Sequence, residues 1–417
     1  MKIDGINRQV KITDAKGRSS MKNTERVILE TVQNPQQFRY DSAFLEEAVS
    51  SATDQILANL SEFVHDYPMA SSKNLVYGKQ KNGNDWVEGF WTGMLWASYE
   101  LTGNELFRAV AEAQYDDYKE RLDKFQFLSH HDIGFIYTPS IVAQYKVTGA
   151  EKAKELGLRA ANQLAKRFSE GAGIIQVRDW NPQGTFIIDC SMNIPLLFWA
   201  AQITGDRDYY RKALSHITQV CNYMIRDDAS TYQIFQIDEL TGEPGRGSQG
   251  QGYNDDSCWS RGQSWVIYGL ALAYRYTLDP EFLEMGKRVA NYCLNRLPSD
   301  HVCTWDFIFT GDDDARDSSA APVIACGLLE LAEHLPEGDE HKLLYQNAAG
   351  DMMMHLAQEY RTTQEESNGL LKHGVYVKTT REGKEGDGLG DDECCIWGDY
   401  YYMEGLLRLT KKWNPYW

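Results

Sequence analysis

Two aspartates, Asp132 in SHHDIGFIYTPS and Asp189 in FIIDCSMNIPLLFW, each precede an apolar segment that carries a proline, Pro139 or Pro195. Proline lacks an N–H and fits only the first turn of a helix, so both prolines predict helix starts with a carboxylate at or just before each. A carboxylate there has two available roles. It can accept orphan backbone N–H bonds as a solvated N-cap, where the positive helix end lowers its pKa. Alternatively, buried beside a second carboxylate, it can hold and move a proton.

The chain must supply elements that bring the two together, and its internal repeat does so. A unit of apolar helix, short break and amphipathic helix recurs from FWTGMLWASYELTG onward, with Thr-Gly breaks at Thr102, Thr148 and Thr204 and a Leu-Asp-Pro break at Leu278, Asp279 and Pro280. Glycine at those breaks suits a helix C-cap. Adding an opening helix near residues 42–67 and a closing one near 400–412 gives about twelve helices. The first helix of each unit is apolar nearly all round and the second carries charge on one face, so buried inner helices alternate with half-exposed outer ones. This alternation predicts an all-α fold, an (α/α)6 barrel, with an open α-solenoid as the competing architecture.

In a closed ring the parallel inner helices bring their N-termini to one rim. The residues preceding them then become neighbours: Asp85 and Trp86; His130, His131 and Asp132; Asp189; Asp255, Asp256, Trp259 and Arg261; Trp305, Asp306 and Asp317; Asp391, Asp392, Trp397 and Asp399. Carboxylates with tryptophans describe a sugar site, because an indole stacks on a pyranose face and carboxylates bind hydroxyls or move protons. Helix ends and one arginine suit a carboxylate on that sugar.

Composition narrows the partners. The 417 residues carry 42 Lys plus Arg against 60 Asp plus Glu, a formal charge of −18. Nucleic acid and anionic membrane surfaces are therefore excluded as expected partners, and no obligate protein partner is inferred. The eight cysteines include no C-x-x-C and read as reduced thiols of a cytoplasmic protein. The N-terminus has no apolar signal-like core, and no stretch approaches the length of a membrane span. Residues 1–25 read as a polar tail and 26–417 as one catalytic domain.

Other motifs are weaker. Adjacent His130 and His131 without a third histidine nearby make a poor metal site, so no metal and no cofactor is expected. The acidic runs Asp255-Asp256 and Asp312-Asp313-Asp314 are similar to magnesium-diphosphate motifs but lie in loops. GEPGRGSQGQGYNDD (242–256) lacks the ending of a phosphate loop and reads as a long mobile loop over the rim. Arg261 either pairs with a nearby Asp or binds ligand. Trp86 and Trp180 sit among polar residues, which favours exposure in a cleft, and no base is placed beside Cys394 or Cys395.

HHDIGF, IIDCSMNIPLLFWA, DDSCWSRGQSW and DSSAAPVIACGLLEL together resemble the unsaturated glucuronyl hydrolases, glycoside hydrolase family 88, from about Trp86 to Trp417. The resemblance implies an (α/α)6 barrel acting on lyase-made oligosaccharides with a non-reducing-end 4,5-unsaturated uronic acid. It also implies hydration of the C4=C5 vinyl ether, so the carboxylate-spacing rule of ordinary glycosidases does not apply. By resemblance Asp189 is the general acid and base, and Asp132 binds ring hydroxyls and stabilises charge. Trp86, His131, Trp180, Gln251, Arg261 and Trp265 correspond to substrate-lining positions. Gln233 stands where many relatives carry His, and Gly250 where they often carry His or Arg, which counts against a strong sulfate preference, although Lys372 or Lys378 could still approach a sulfate. The alternatives are an unsaturated rhamnogalacturonyl hydrolase, a non-catalytic sugar-binding toroid and, more distantly, a metal-dependent terpenoid enzyme.

Overall fold

The computed structural model describes residues 21, 24–382, 384–385 and 388–417. Six hairpins follow one another, each an outer helix and then an inner one. The first joins α1 (Phe44–Asn59) to α2 (Glu88–Thr102). The second has an outer arm of α3 (Glu105–Ala113) and α4 (Tyr115–Asp123), then an inner arm of α5 (Ile133–Tyr137), a π turn (Thr138–Val142) and α6 (Ala143–Thr148). Next come α7 (Glu151–Ala165) with α8 (Pro195–Thr204), and α9 (Arg207–Gln219) with α10 (Ser260–Thr277). Last are α11 (Pro280–Leu294) with α12 (Ala321–His334), and α13 (Glu340–His355) with α14 (Ile396–Thr410).

Inner helices touch in the order α2, α5/α6, α8, α10, α12, α14 and back to α2. The ring closes, so the fold is the (α/α)6 toroid and not the open solenoid. Burial follows the expected alternation: every residue of α10 from Ser260 to Ala273 is buried, whereas α7 buries only the stripe Ala153, Leu156, Gly157, Ala160, Ala161, Leu164 and Ala165. No helix among the described residues is long and apolar enough to cross a membrane. The expected tail, 1–25, lies almost wholly outside the described residues; Thr24–Arg26 form a short 3-10 turn.

The breaks between inner and outer helices share one device. Thr102, Thr148, Thr204 and Thr277 each donate a side-chain hydroxyl to the carbonyl four residues back, at 2.6–2.7 Å. Each hydroxyl also accepts the N–H two residues on, at 3.1–3.2 Å. Between them the chain turns left-handed at Gly103, Gly149, Gly205 and Leu278. Asn104, Asp206 and Asp279 then cap the outer helices that follow.

Two sequence expectations need correction here. Pro195 opens α8 as predicted, but Pro139 does not open a helix: α5 begins at Ile133, and Pro139 falls inside the π turn. The wider turn takes up the missing N–H and the ring clash that a regular helix would suffer. Nor is 242–256 a free loop. Pro244–Ser248 is the outer strand of an antiparallel sheet with Ile234–Ile237 and Thr185–Ile187, and this sheet carries the chain into Asp189.

Candidate active site

The rim is braced from below by a buried ion pair. Arg121 and Glu88 meet at 2.9 Å with both side chains fully buried. Arg121 also donates to the carbonyls of Asp85 at 2.5 Å and Phe127 at 3.2 Å, and Glu88 accepts the N–H groups of Asn84 and Asp85. One pair therefore holds both the loop bearing Trp86 and the loop leading to His130.

Asp132 is not a side-chain cap: it makes no cap hydrogen bond to α5 and is buried. Its oxygens instead face two imidazoles, His130 Nδ1 at 3.3 Å and His131 Nε2 at 3.2 Å. The Nε2 of His130 lies 2.8 Å from the Phe127 carbonyl, and its Nδ1 lies 3.1 Å from the Asp132 backbone nitrogen. Burial alone would raise the Asp132 pKa, but His131 and the His130 contact outweigh it and hold the carboxyl well below its ordinary range. Burial pushes the His131 imidazole down to about 4, so near neutral pH it is uncharged.

Asp189 lies in a 3-10 turn, Ile188–Met192, between the sheet and α8. It is not a cap either, since α8 starts six residues later, so the helix end does not govern its charge. Burial, and secondarily the Asp132 charge, raise its pKa to about 7 against the pull of Arg261. Asn193 ties the two acids: its Nδ2 lies 3.4 Å from Asp132 Oδ1 and 3.3 Å from the Asp189 carbonyl, while its Oδ1 accepts the Phe135 N–H. Backbones cross closely at that point. A Cβ on Gly134 would lie 2.4 Å from Asn193 Cα, so glycine is required there.

Opposite the acids, a chain of amides leads to the cation. Gln233 accepts the Gly250 and Gln251 N–H groups and donates to Gln251 Oε1 at 2.9 Å; Gln251 in turn donates to the Tyr376 carbonyl at 2.9 Å. The Gln233 carbonyl accepts the Ile188 N–H, one residue from Asp189. Arg261 makes no salt bridge to a carboxylate among the described residues: it donates to the carbonyls of Val375 and Tyr376. Its guanidinium lies 4.3 Å from the Trp259 ring and 4.7 Å from that of Trp397.

The predicted tryptophans separate. Half-buried Trp86 stacks on Trp397 at 5.4 Å and donates to the Tyr376 hydroxyl. Trp180 is 64% exposed beside the Arg178 guanidinium, and Arg178 pairs with His130 across an isolated bridge. Trp265 is 1% exposed, packed on Phe135 and Tyr401, so it belongs to the floor beneath Trp86 and offers no open face. Asp306, Asp317 and Asp399 are buried braces, accepting N–H bonds from Tyr253 and Cys258, Ser319 and Val375, and Leu370 and Leu371. Lys378 pairs with Asp391, and Lys372 lies 3.3 Å from Glu366. Cys394 and Cys395 are buried with thiols pushed up by desolvation.

Two participants went unnoticed in the sequence. Asn193 stands in SMNIP, directly before an expected helix, and its polar side chain amid apolar neighbours was the available signal. Tyr376 joins Trp86, Gln251 and Arg261 from a loop distant in sequence from all three, and no local pattern marks it.

A toroid whose rim sets an acid raised to about 7 beside one held well below its ordinary range, with aromatic faces and a buried guanidinium, has the parts of a glycoside hydrolase. Residues 60–411 match the family model for Glycosyl Hydrolase Family 88. The unsaturated chondroitin disaccharide hydrolase of Streptococcus pneumoniae is 43% identical over 404 residues, 94% of this chain and all of that protein. The crystal structure of the unsaturated glucuronyl hydrolase from Streptococcus agalactiae superposes with TM-score 0.88 at 39% identity, covering 94% of this chain and 99% of the other. A mutant of that enzyme complexed with dGlcA-GalNAc6S superposes with TM-score 0.83 at 37% identity, covering 95% and 100%. The chain belongs to Glycosyl Hydrolase Family 88.

Proposed function

We propose that this enzyme hydrolyses unsaturated uronyl oligosaccharides of the glycosaminoglycan type, with Asp189 as general acid and base and Asp132 as the anionic hydroxyl-binding partner. The observation that carries the assignment is the contrast between the acids: Asp189 is raised to about 7 while Asp132 is held ionised. Environments that push two neighbouring carboxyls apart divide the labour between them.

Protonated Asp189 gives its proton to C4 of the C4=C5 bond, leaving an oxocarbenium-like C5 that Asp132 stabilises. The Asp189 carboxylate then takes a proton from the water that attacks C5. The resulting hemiketal opens and the glycosidic bond breaks, releasing a keto acid and the remaining sugar. Arg261, which makes no salt bridge among the described residues, suits the uronate, and Trp86 and Trp180 offer faces to the sugar rings. His131, Gln233 and Gln251 line the same subsite, with Trp265 supporting it from below. Eight free, buried cysteines support a cytoplasmic setting.

The test is the ultraviolet absorbance of the conjugated uronate, followed across unsaturated chondroitin, hyaluronan and heparin disaccharides, sulfated and unsulfated. Wild type is expected to abolish the absorbance. Asp189→Asn is expected to lose about 10²–10⁴-fold in kcat with folding intact. Binding without absorbance loss would make the barrel a sugar-binding module, and an active Asp189→Asn would end this assignment of roles.

A further inference from the structure

Three side chains converge that the proposed chemistry does not use. His301 closes the loop after α11, and Asp351 and His355 lie four residues apart on one face of α13. One ligand atom from each falls within 4.8 Å of the others. His301 Nδ1 is hydrogen-bonded to Asp351 Oδ2, and His355 Nε2 lies 3.9 Å from Asp351 Oδ1.

We propose that His301, Asp351 and His355 form a binding site for a transition-metal dication, zinc by ligand chemistry. Imidazole nitrogens with one carboxylate match zinc, whereas magnesium and calcium prefer oxygen ligands. Metal–ligand bonds of about 2.1 Å put ligand atoms roughly 3.4 Å apart in a tetrahedron, a spacing that small side-chain rotations reach from the observed one. The surroundings are those of a metal histidine. His355 Nδ1 lies 2.9 Å from Glu359 Oε1, an outer carboxylate that turns Nε2 toward Asp351. On the other side the His301 ring packs on Phe38 at 4.7 Å. His301 itself holds a left-handed backbone, φ 54°, which a side-chain anchor would retain.

The role is structural. The ion would clamp the loop 298–317 to the end of α13. That loop ends at Asp317, whose Oδ1 accepts the Val375 N–H, and the Val375 carbonyl holds Arg261.

The test uses chelator-stripped whole protein, titrated with Zn²⁺ against a chromophoric chelator and with Co²⁺ while visible absorption is recorded. One equivalent of zinc bound at micromolar or tighter Kd, a cobalt d–d band and a higher Tm with zinc are expected. His301→Ala and His355→Gln should each weaken zinc binding at least tenfold, and Glu359→Gln by about 10–100-fold. His355→Gln keeps helix propensity, and far-UV circular dichroism verifies its fold. Absence of stoichiometric binding to wild type, or unchanged affinity in folded His355→Gln, overturns the proposal.

Discussion

Asp189 and Asp132 differ in charge state because their neighbours differ. Asp132 faces two imidazoles, whereas Asp189 faces burial and a fixed negative charge, with Arg261 the largest opposing influence. If protonated Asp189 is the acid, kcat/KM falls as pH rises through about 7, because the raised pKa marks loss of the active protonated form. His131 charges only near 4, so it adds no limb close to neutrality. Asp132→Asn removes the second cause of the Asp189 shift and leaves the first, burial. The Asp189 titration is therefore expected to move to lower pH without reaching the ordinary carboxylate range. Carbon-13 NMR of the carboxyl checks this even if the variant turns over slowly, and a titration that stays put would show that Asp132 does not tune Asp189.

The helices position these groups through their ends and close crossings, and both can be perturbed one residue at a time. At three inner-helix breaks a glycine takes the left-handed turn; at the fourth it is Leu278, with φ 57° and the side chain 51% exposed. Leu278→Gly gives up little burial and relieves that conformation, so a gain of about 1 kcal/mol is expected. Gly134→Ala works the other way. Its Cβ would strike the Asn193 backbone that links the two acids, at an expected cost of about 1–3 kcal/mol together with lower kcat. Thermal melts of both variants read these opposite signs. The Thr-Gly breaks were legible because the chemistry of a helix stop is local. Pro139 was misread for a related reason: proline's local preference is firm, but packing around the ring can absorb it in a π turn.

At the scale of the whole molecule, the net charge of −18 opposes an anionic substrate over long range while Arg261, in its proposed role, would attract it at close range. Salt shortens the Debye length from about 30 Å at 0.01 M to about 8 Å at 0.15 M, so it screens the distant repulsion more than the buried contact. Accordingly kcat/KM for a uronyl disaccharide is expected to rise with ionic strength over that range; a steep fall would mean that a local basic field dominates. By itself the sequence determined the alternating helices, their stops and the two aspartates, because periodicity, capping and composition are properties of neighbouring residues. Only the tertiary structure decided which rim carboxylates are tied up by backbone N–H groups and which are not. Asp306, Asp317 and Asp399 look in sequence much like Asp132 and Asp189, yet backbone N–H groups brought by other segments bind them as braces. The same closure of the ring buried Trp265, left Trp180 exposed and delivered Tyr376 to Arg261. A carboxyl's pKa and a side chain's exposure depend on everything within a few ångströms, and in a closed toroid those neighbours come from far along the chain.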